Sequence, residues 1–214
     1  MTRSPLAQGG APRALAALAL IVALAHAPFL ASSLEDIDSV NFALGVRDFD
    51  VAAHRPHPPG YPVYIALGKV ATTIAGFGVD APPSVIEAKA LAVLSLLAGL
   101  LAIVCLYGVF ACLGEGDRES DRAPWRSLDV SAIAATAVAA SCPLFWYLAV
   151  RPMSDLPGLA IALMAQACLM LAWWRQRPGT DGDSRLTAAA TATSGRMIVI
   201  GAFLSAISIG VRSQ

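Results

Sequence analysis

The residues able to do chemistry crowd into one span, residues 33–69, SLEDIDSVNFALGVRDFDVAAHRPHPPGYPVYIALGK. Glu35, Asp36 and Asp38 put three carboxylates within four positions, and His54, Arg55 and His57 follow at the mouth of a proline-rich turn. A carboxylate within hydrogen-bond reach of a hydroxyl serves as a general base. Imidazole and guanidinium donors nearby stabilise negative charge on a departing group. The acids also precede a helix-like run, 39–46, where the helix macrodipole favours each by about 0.3–1 kcal/mol. One acid would meet that need, so the surplus sets a functional cluster against the plainer reading of a solvated charged face. Asp48 and Asp50, on either side of Phe49, read as structural turn residues.

The segment His54-Arg55-Pro56-His57-Pro58-Pro59-Gly60-Tyr61-Pro62 carries four prolines. Each fixes φ at about −65° and removes a backbone donor, which forces extended or turn geometry. Such a backbone holds His57 or Arg55 in a defined place. A stiff connector between two helices is the alternative.

The elements around this span read as membrane. The chain of 214 residues is 57% hydrophobic and 14% charged, with a mean hydropathy of +0.64, outside soluble globular usage. Crossing a hydrocarbon core of ~30 Å takes about 17–25 apolar residues. Five runs approach or exceed that: 14–31, 90–113, 130–150, 156–174 and 197–211. A sixth, 61–77, is shorter and broken by Gly68 and Lys69, and reads as an amphipathic helix in the interface. Arg3 and Arg13 ahead of the first run, with small residues near Ser32, also fit a secretory signal peptide. The length of the run and the four that follow favour an uncleaved first helix. Cys105, Cys112, Cys142 and Cys168 all lie in apolar runs without metal-ligand spacing and read as buried packing residues. A divalent metal has no support in the sequence. The zero formal net charge conceals uneven placement, and no nucleic-acid partner is expected.

Orientation follows from Lys and Arg in short loops, which favour the cytoplasmic side. Arg3, Arg13, Arg118, Arg122, Arg126, Arg175, Arg177, Arg185 and Arg196 all fall on one side if 61–77 does not cross. The expected topology is a multi-pass cell (inner) membrane protein with a cytoplasmic N-terminus. Cytoplasmic loops then cover 114–128 and 175–196, and an external loop covers 32–89. A second external connection is Arg151-Pro152-Met153-Ser154-Asp155. Acids at membrane depth are costly without a polar cavity or partner, so those in both connections are functional candidates. His26 reads as a packing residue, Glu87 and Lys89 as interface anchors. Trp146 and Tyr147, like Trp173 and Trp174, read as aromatic belts.

The run Asp38-Ser39-Val40-Asn41-Phe42-Ala43-Leu44-Gly45-Val46-Arg47-Asp48, followed by His57-Pro58-Pro59-Gly60-Tyr61-Pro62, resembles the first external loop of GT-C superfamily membrane glycosyltransferases, the family 39 protein O-mannosyltransferase-like enzymes among them. The resemblance covers 14–113 well and the rest by hydropathy. It implies an all-α polytopic transmembrane helical bundle with juxtamembrane helices in the first external loop. It also implies inverting transfer of a sugar from a polyprenyl-phosphate carrier to an acceptor (protein, lipid or glycan) at the outer face. In that pattern Asp38 is the base, and Asp36 and Glu35 assist it as like charges or as acceptors for sugar hydroxyls. His57 stands where the family has Lys or His before Pro-Pro, so it or Arg55 meets the lipid phosphate, with Arg212 a further candidate. Asp155 matches a second acid of the superfamily, or caps the helix near Leu156. Beyond the lipid-linked donor and membrane lipids no cofactor is implied. The chain reads as the N-terminal portion of a larger protein or as a truncated gene product. The rival class, a transporter segment or assembly scaffold, calls for acids near mid-membrane and internal repeats, and neither is evident in the sequence.

Overall fold

The computed structural model describes residues 10–114, 129–175 and 184–211, with the backbone alone for 174–175 and 184–190. Among the described residues eight α-helices follow in order: α1 (Gly10–His26), α2 (Ile37–Arg47), α3 (Pro62–Gly76), α4 (Pro83–Gly114), α5 (Val130–Ala140), α6 (Pro143–Ala149), α7 (Asp155–Arg175) and α8 (Ser184–Val211). The expected all-α bundle is what forms. Among the described residues four helical stretches are long and apolar enough to span a membrane: Gly10–Phe29, Pro83–Gly114, Asp155–Trp173 and Thr191–Val211.

The fifth expected span, 130–150, is not one helix. It is the pair α5 and α6, bent by 66°. Pro143 has no N–H to continue α5 and disfavours helical backbone at Cys142, which is extended at φ −59° and ψ 132°. The break also leaves Cys142 exposed, contrary to the expected burial, whereas Cys105 and Cys112 are buried and Cys168 is partly so. The same proline logic stops α1 at His26, where Pro28 turns the chain into a short 3-10 segment, Ala27–Phe29.

Two boundaries moved further. The second span begins at Pro83 rather than 90, because proline is well tolerated in the first helical turn. Its 32 residues extend about 48 Å at ~1.5 Å per residue, longer than a hydrocarbon core of ~30 Å. Residues 184–196, expected in a cytoplasmic loop, belong to α8, and residues 115–128 of the other loop lie outside the described residues.

The central element is α4, which packs against α1, α2, α3, α5, α6 and α7, while α8 lies against α7 and α3. Small residues set these crossings, as expected where close van der Waals contact drives association in lipid. A Cβ on Gly201 of α8 would stand 2.9 Å from Leu169 of α7, and one on Gly99 of α4 would stand 3.2 Å from both Phe145 and Leu156. Val22, Leu96, Ile103, Ala140, Phe145 and Leu156 knit α1 and α4–α7 into one core. Phe42, Val46, Tyr64, Ile65, Leu91 and Val211 form another, from α2, α3, α4 and α8. This second core carries the acidic and proline-rich segments.

Candidate active site

The acids meet at the start of α2. The helix begins at Ile37, two residues earlier than expected, because Asp36 and Ser39 close a reciprocal capping box: Asp36 N–H donates to Ser39 Oγ at 3.1 Å while the Asp36 side chain accepts at the N3 backbone. Asp36 therefore ends the preceding loop and Asp38 falls in the first helical turn.

Asp36 also reaches across the molecule. Its Oδ2 accepts from Arg151 Nη1 at 2.8 Å and its Oδ1 from the Tyr147 hydroxyl at 3.3 Å. Glu35 Oε2 lies 3.6 Å from the same Arg151 nitrogen, and Ser33 Oγ donates to Glu35 at 3.0 Å. The Arg151 guanidinium stacks over the Tyr147 ring at 4.4 Å. The hydrogen bond to Asp36 pushes the Arg151 pKa further up, so the group stays charged. Tyr147 is thus a ligand of the acid cluster and not simply a belt residue.

Asp38 is different. It is half-buried, and among the described residues its carboxylate makes no hydrogen bond or ion pair. One helical turn on, its face continues into Phe42. The Phe42 ring meets Tyr64 at 4.7 Å, Tyr61 at 5.1 Å and His57 at 6.2 Å between centroids. His57 Nε2 lies 3.4 Å from the Tyr61 hydroxyl, and its Nδ1 is buried without a hydrogen-bond partner among the described residues. Phe42, one helical turn after Asp38, is thus the residue of α2 whose ring meets His57.

The proline turn is seated on α2 by contact with a glycine. A Cβ on Gly45 would stand 2.6 Å from Pro56 Cδ and 2.9 Å from its nitrogen. Ahead of the turn, Asp50 and Arg55 exchange backbone hydrogen bonds of 2.7 and 2.8 Å, and Asp50 Oδ1 accepts from Ala53 N–H. Arg55 Nη1 donates to Asp48 at 2.7 Å. Asp48 and Asp50 are structural, as expected, and Arg55 is an exposed cation already shared with Asp48.

The remaining candidates lie elsewhere. Asp155 starts α7 inside its first turn, and the Ser154 carbonyl accepts from Gly158 N–H, so the cap position is Ser154. Arg212 lies outside the described residues. Glu87 is not an interface anchor: it is 5% exposed and receives two hydrogen bonds from Arg47, at 2.6 and 2.7 Å. His26 is a packing residue as expected, fully buried, its Nδ1 on the Val22 carbonyl at 2.7 Å and its ring 4.2 Å from Trp146. Among the described residues no group of three or more His, Cys, Asp or Glu is placed to hold a metal ion.

Sequence reading missed Arg151, Tyr147 and Ser95 as parts of the site. Ser95, buried in α4, donates to the Met153 carbonyl at 3.0 Å and accepts from its N–H at 3.3 Å, clamping the Arg151 loop. The one available signal was Arg151 itself, a cation on the expected outer side with acids facing it.

No curated protein and no solved structure matches this chain. A family match covers residues 49–214. It therefore includes Arg55, His57, Asp155 and Arg212 and begins after Glu35, Asp36 and Asp38, further toward the C-terminus than the expected stretch 14–113. With most of its length matched, this chain belongs to the family described as Protein O-mannosyl-transferase TMEM260 N-terminal domain.

Proposed function

We propose that this chain contributes the acid-bearing part of a membrane glycosyltransferase that moves mannose from a polyprenyl-phosphate carrier to a protein hydroxyl, with inversion, at the outer face. Family membership supports sugar transfer to a protein. The observation that carries the assignment of roles is the contrast among three adjacent acids. Glu35 and Asp36 are held by Arg151, while Asp38 has no partner among the described residues and stands one helical turn before Phe42, whose ring meets His57.

In this reading the acceptor oxygen attacks the anomeric carbon and its proton passes to the Asp38 carboxylate. The bond from that carbon to the phosphate oxygen breaks, and its electron pair leaves with the lipid phosphate. His57 donates to that phosphate, helped by Arg55 or Arg212, where positive donors lower the barrier most. The N-terminus is cytoplasmic, and α3, at 15 residues too short to span, lies in the outer interface with Val70, Ile74 and neighbouring Phe77 exposed.

The test is donor consumption. Membranes carrying the full-length protein, incubated with polyprenyl-phosphate mannose and serine- or threonine-containing peptides, should yield mannosylated peptide with inverted linkage. Transfer from a nucleotide sugar alone, with carrier synthesis blocked, would overturn the proposed donor.

A further inference from the structure

The hydrogen bonds around Arg151, with the short stretches of chain between them, link the middle of the bundle to the start of α2. Ser95 of α4 holds both backbone groups of Met153. Two residues earlier, the Arg151 side chain holds Asp36 and Glu35 and rests on Tyr147. The preceding residue, Val150, accepts from Ala31 N–H at 2.9 Å, which fixes the spacing between this loop and the chain leading into the acids. Asp36 in turn caps α2, two residues before Asp38. Each end of the link is thus anchored in a packed element.

We propose that Arg151 is a positioning residue for the catalytic acid: through Asp36 and Glu35 it sets the first turn of α2 and hence where the Asp38 carboxylate stands. This rests on the reading of Asp38 as base. Arginine suits the task because its planar fork bonds carboxylates while its face stacks on tyrosine, and a lysine ammonium does only the former. The competing role, direct binding of the donor phosphate, is disfavoured by the carboxylates already within 2.8 and 3.6 Å, which would repel that anion.

Steady-state kinetics on the full-length protein separate the two. A misplacement of about 1 Å at a catalytic group costs up to ~100-fold, so Arg151→Ala should lower kcat about tenfold or more while the donor KM changes less than about twofold. Arg151→Lys should recover part of that loss. Asp36→Asn in the Arg151→Ala background should add little, since both remove the same link. A nitroxide on a cysteine at Ile37, whose side chain is exposed, placed in a Cys142→Ser background, should become more mobile in Arg151→Ala, a readout that does not need activity. A rise in donor KM with kcat unchanged would make Arg151 a phosphate ligand, and unchanged kcat with unchanged label mobility would remove it from the mechanism. If the unmodified protein transfers no sugar, the glycosyltransferase reading fails, whereas the label still decides whether Arg151 orders α2.

Discussion

Glu87, buried near the start of α4, receives two parallel hydrogen bonds from Arg47 at the end of α2, 2.6 and 2.7 Å long. With Asp36 held by Arg151 at the other end, α2 is pinned by an ion pair at each terminus. The Glu87 bond also pushes the Arg47 pKa up.

Arg47→Ala should destabilise the protein in detergent. Breaking a buried pair costs about 3–5 kcal/mol, and because Arg47 is half exposed the loss should sit at or below the lower end, about 2–3 kcal/mol. A raised pKa means that stabilisation from the Arg47 charge is complete below its ordinary value and is lost only as pH rises through the raised one. The variant's Tm deficit should therefore be the same at pH 7 and pH 9 on the arginine side of the pair. A deficit that vanishes at pH 9 would contradict this.

Asp38→Asn should abolish transfer, by about 100- to 10,000-fold for loss of a general base, with membrane insertion unchanged. Quantifying mannosylated peptide at matched protein levels checks it. Near-normal turnover in this variant would mean that another group takes the proton.

Gly45→Ala should unseat the proline turn. Its Cβ would sit 2.6 Å from Pro56 Cδ and 2.9 Å from backbone, and overpacking of this kind costs typically ~1–3 kcal/mol. The reading to follow is the donor KM, because His57 lies in that turn; a rise is expected alongside the lower Tm.

Ser95→Ala should loosen the Arg151 loop from inside the bundle. It removes two hydrogen bonds to Met153 and takes the Ser95 donor from the Met153 carbonyl, while Met153 N–H keeps its bond to the Arg151 carbonyl at 2.9 Å, at a cost of about 1–3 kcal/mol. The Tm in detergent should fall in the variant. No change there would show that the loop is held by other means.

The proposed topology is checked by thiol labelling in a Cys142→Ser background, needed because Cys142 is exposed. A cysteine at Ser33 should react with an impermeant reagent from outside, and one at Ser127 only after the membrane is opened. Labelling at Ser33 solely from the inside would invert the scheme.

The helices were largely legible in the sequence because apolar runs of spanning length have no other stable home than a bilayer or a buried core. The break within 130–150 was legible in principle, since Pro143 announces it, but the run's unbroken hydropathy outweighed a single residue. The early start of α2 lay in the Asp36–Ser39 spacing, which a reading centred on charge passed over.

By residue type and spacing, Glu35, Asp36 and Asp38 are near-equivalents beside a rigid His-Pro-Pro turn, and only the motif resemblance singled out Asp38. Their separation comes from Arg151 and Tyr147, more than a hundred positions away in the chain. Likewise Glu87 and Arg47, forty residues apart, meet only because α2 folds back on α4. Local rules of hydropathy, proline geometry and capping act over a few residues and so are written in the sequence. Which carboxylate is neutralised and which is left open depends on cations from distant segments, and packing alone decides where those arrive.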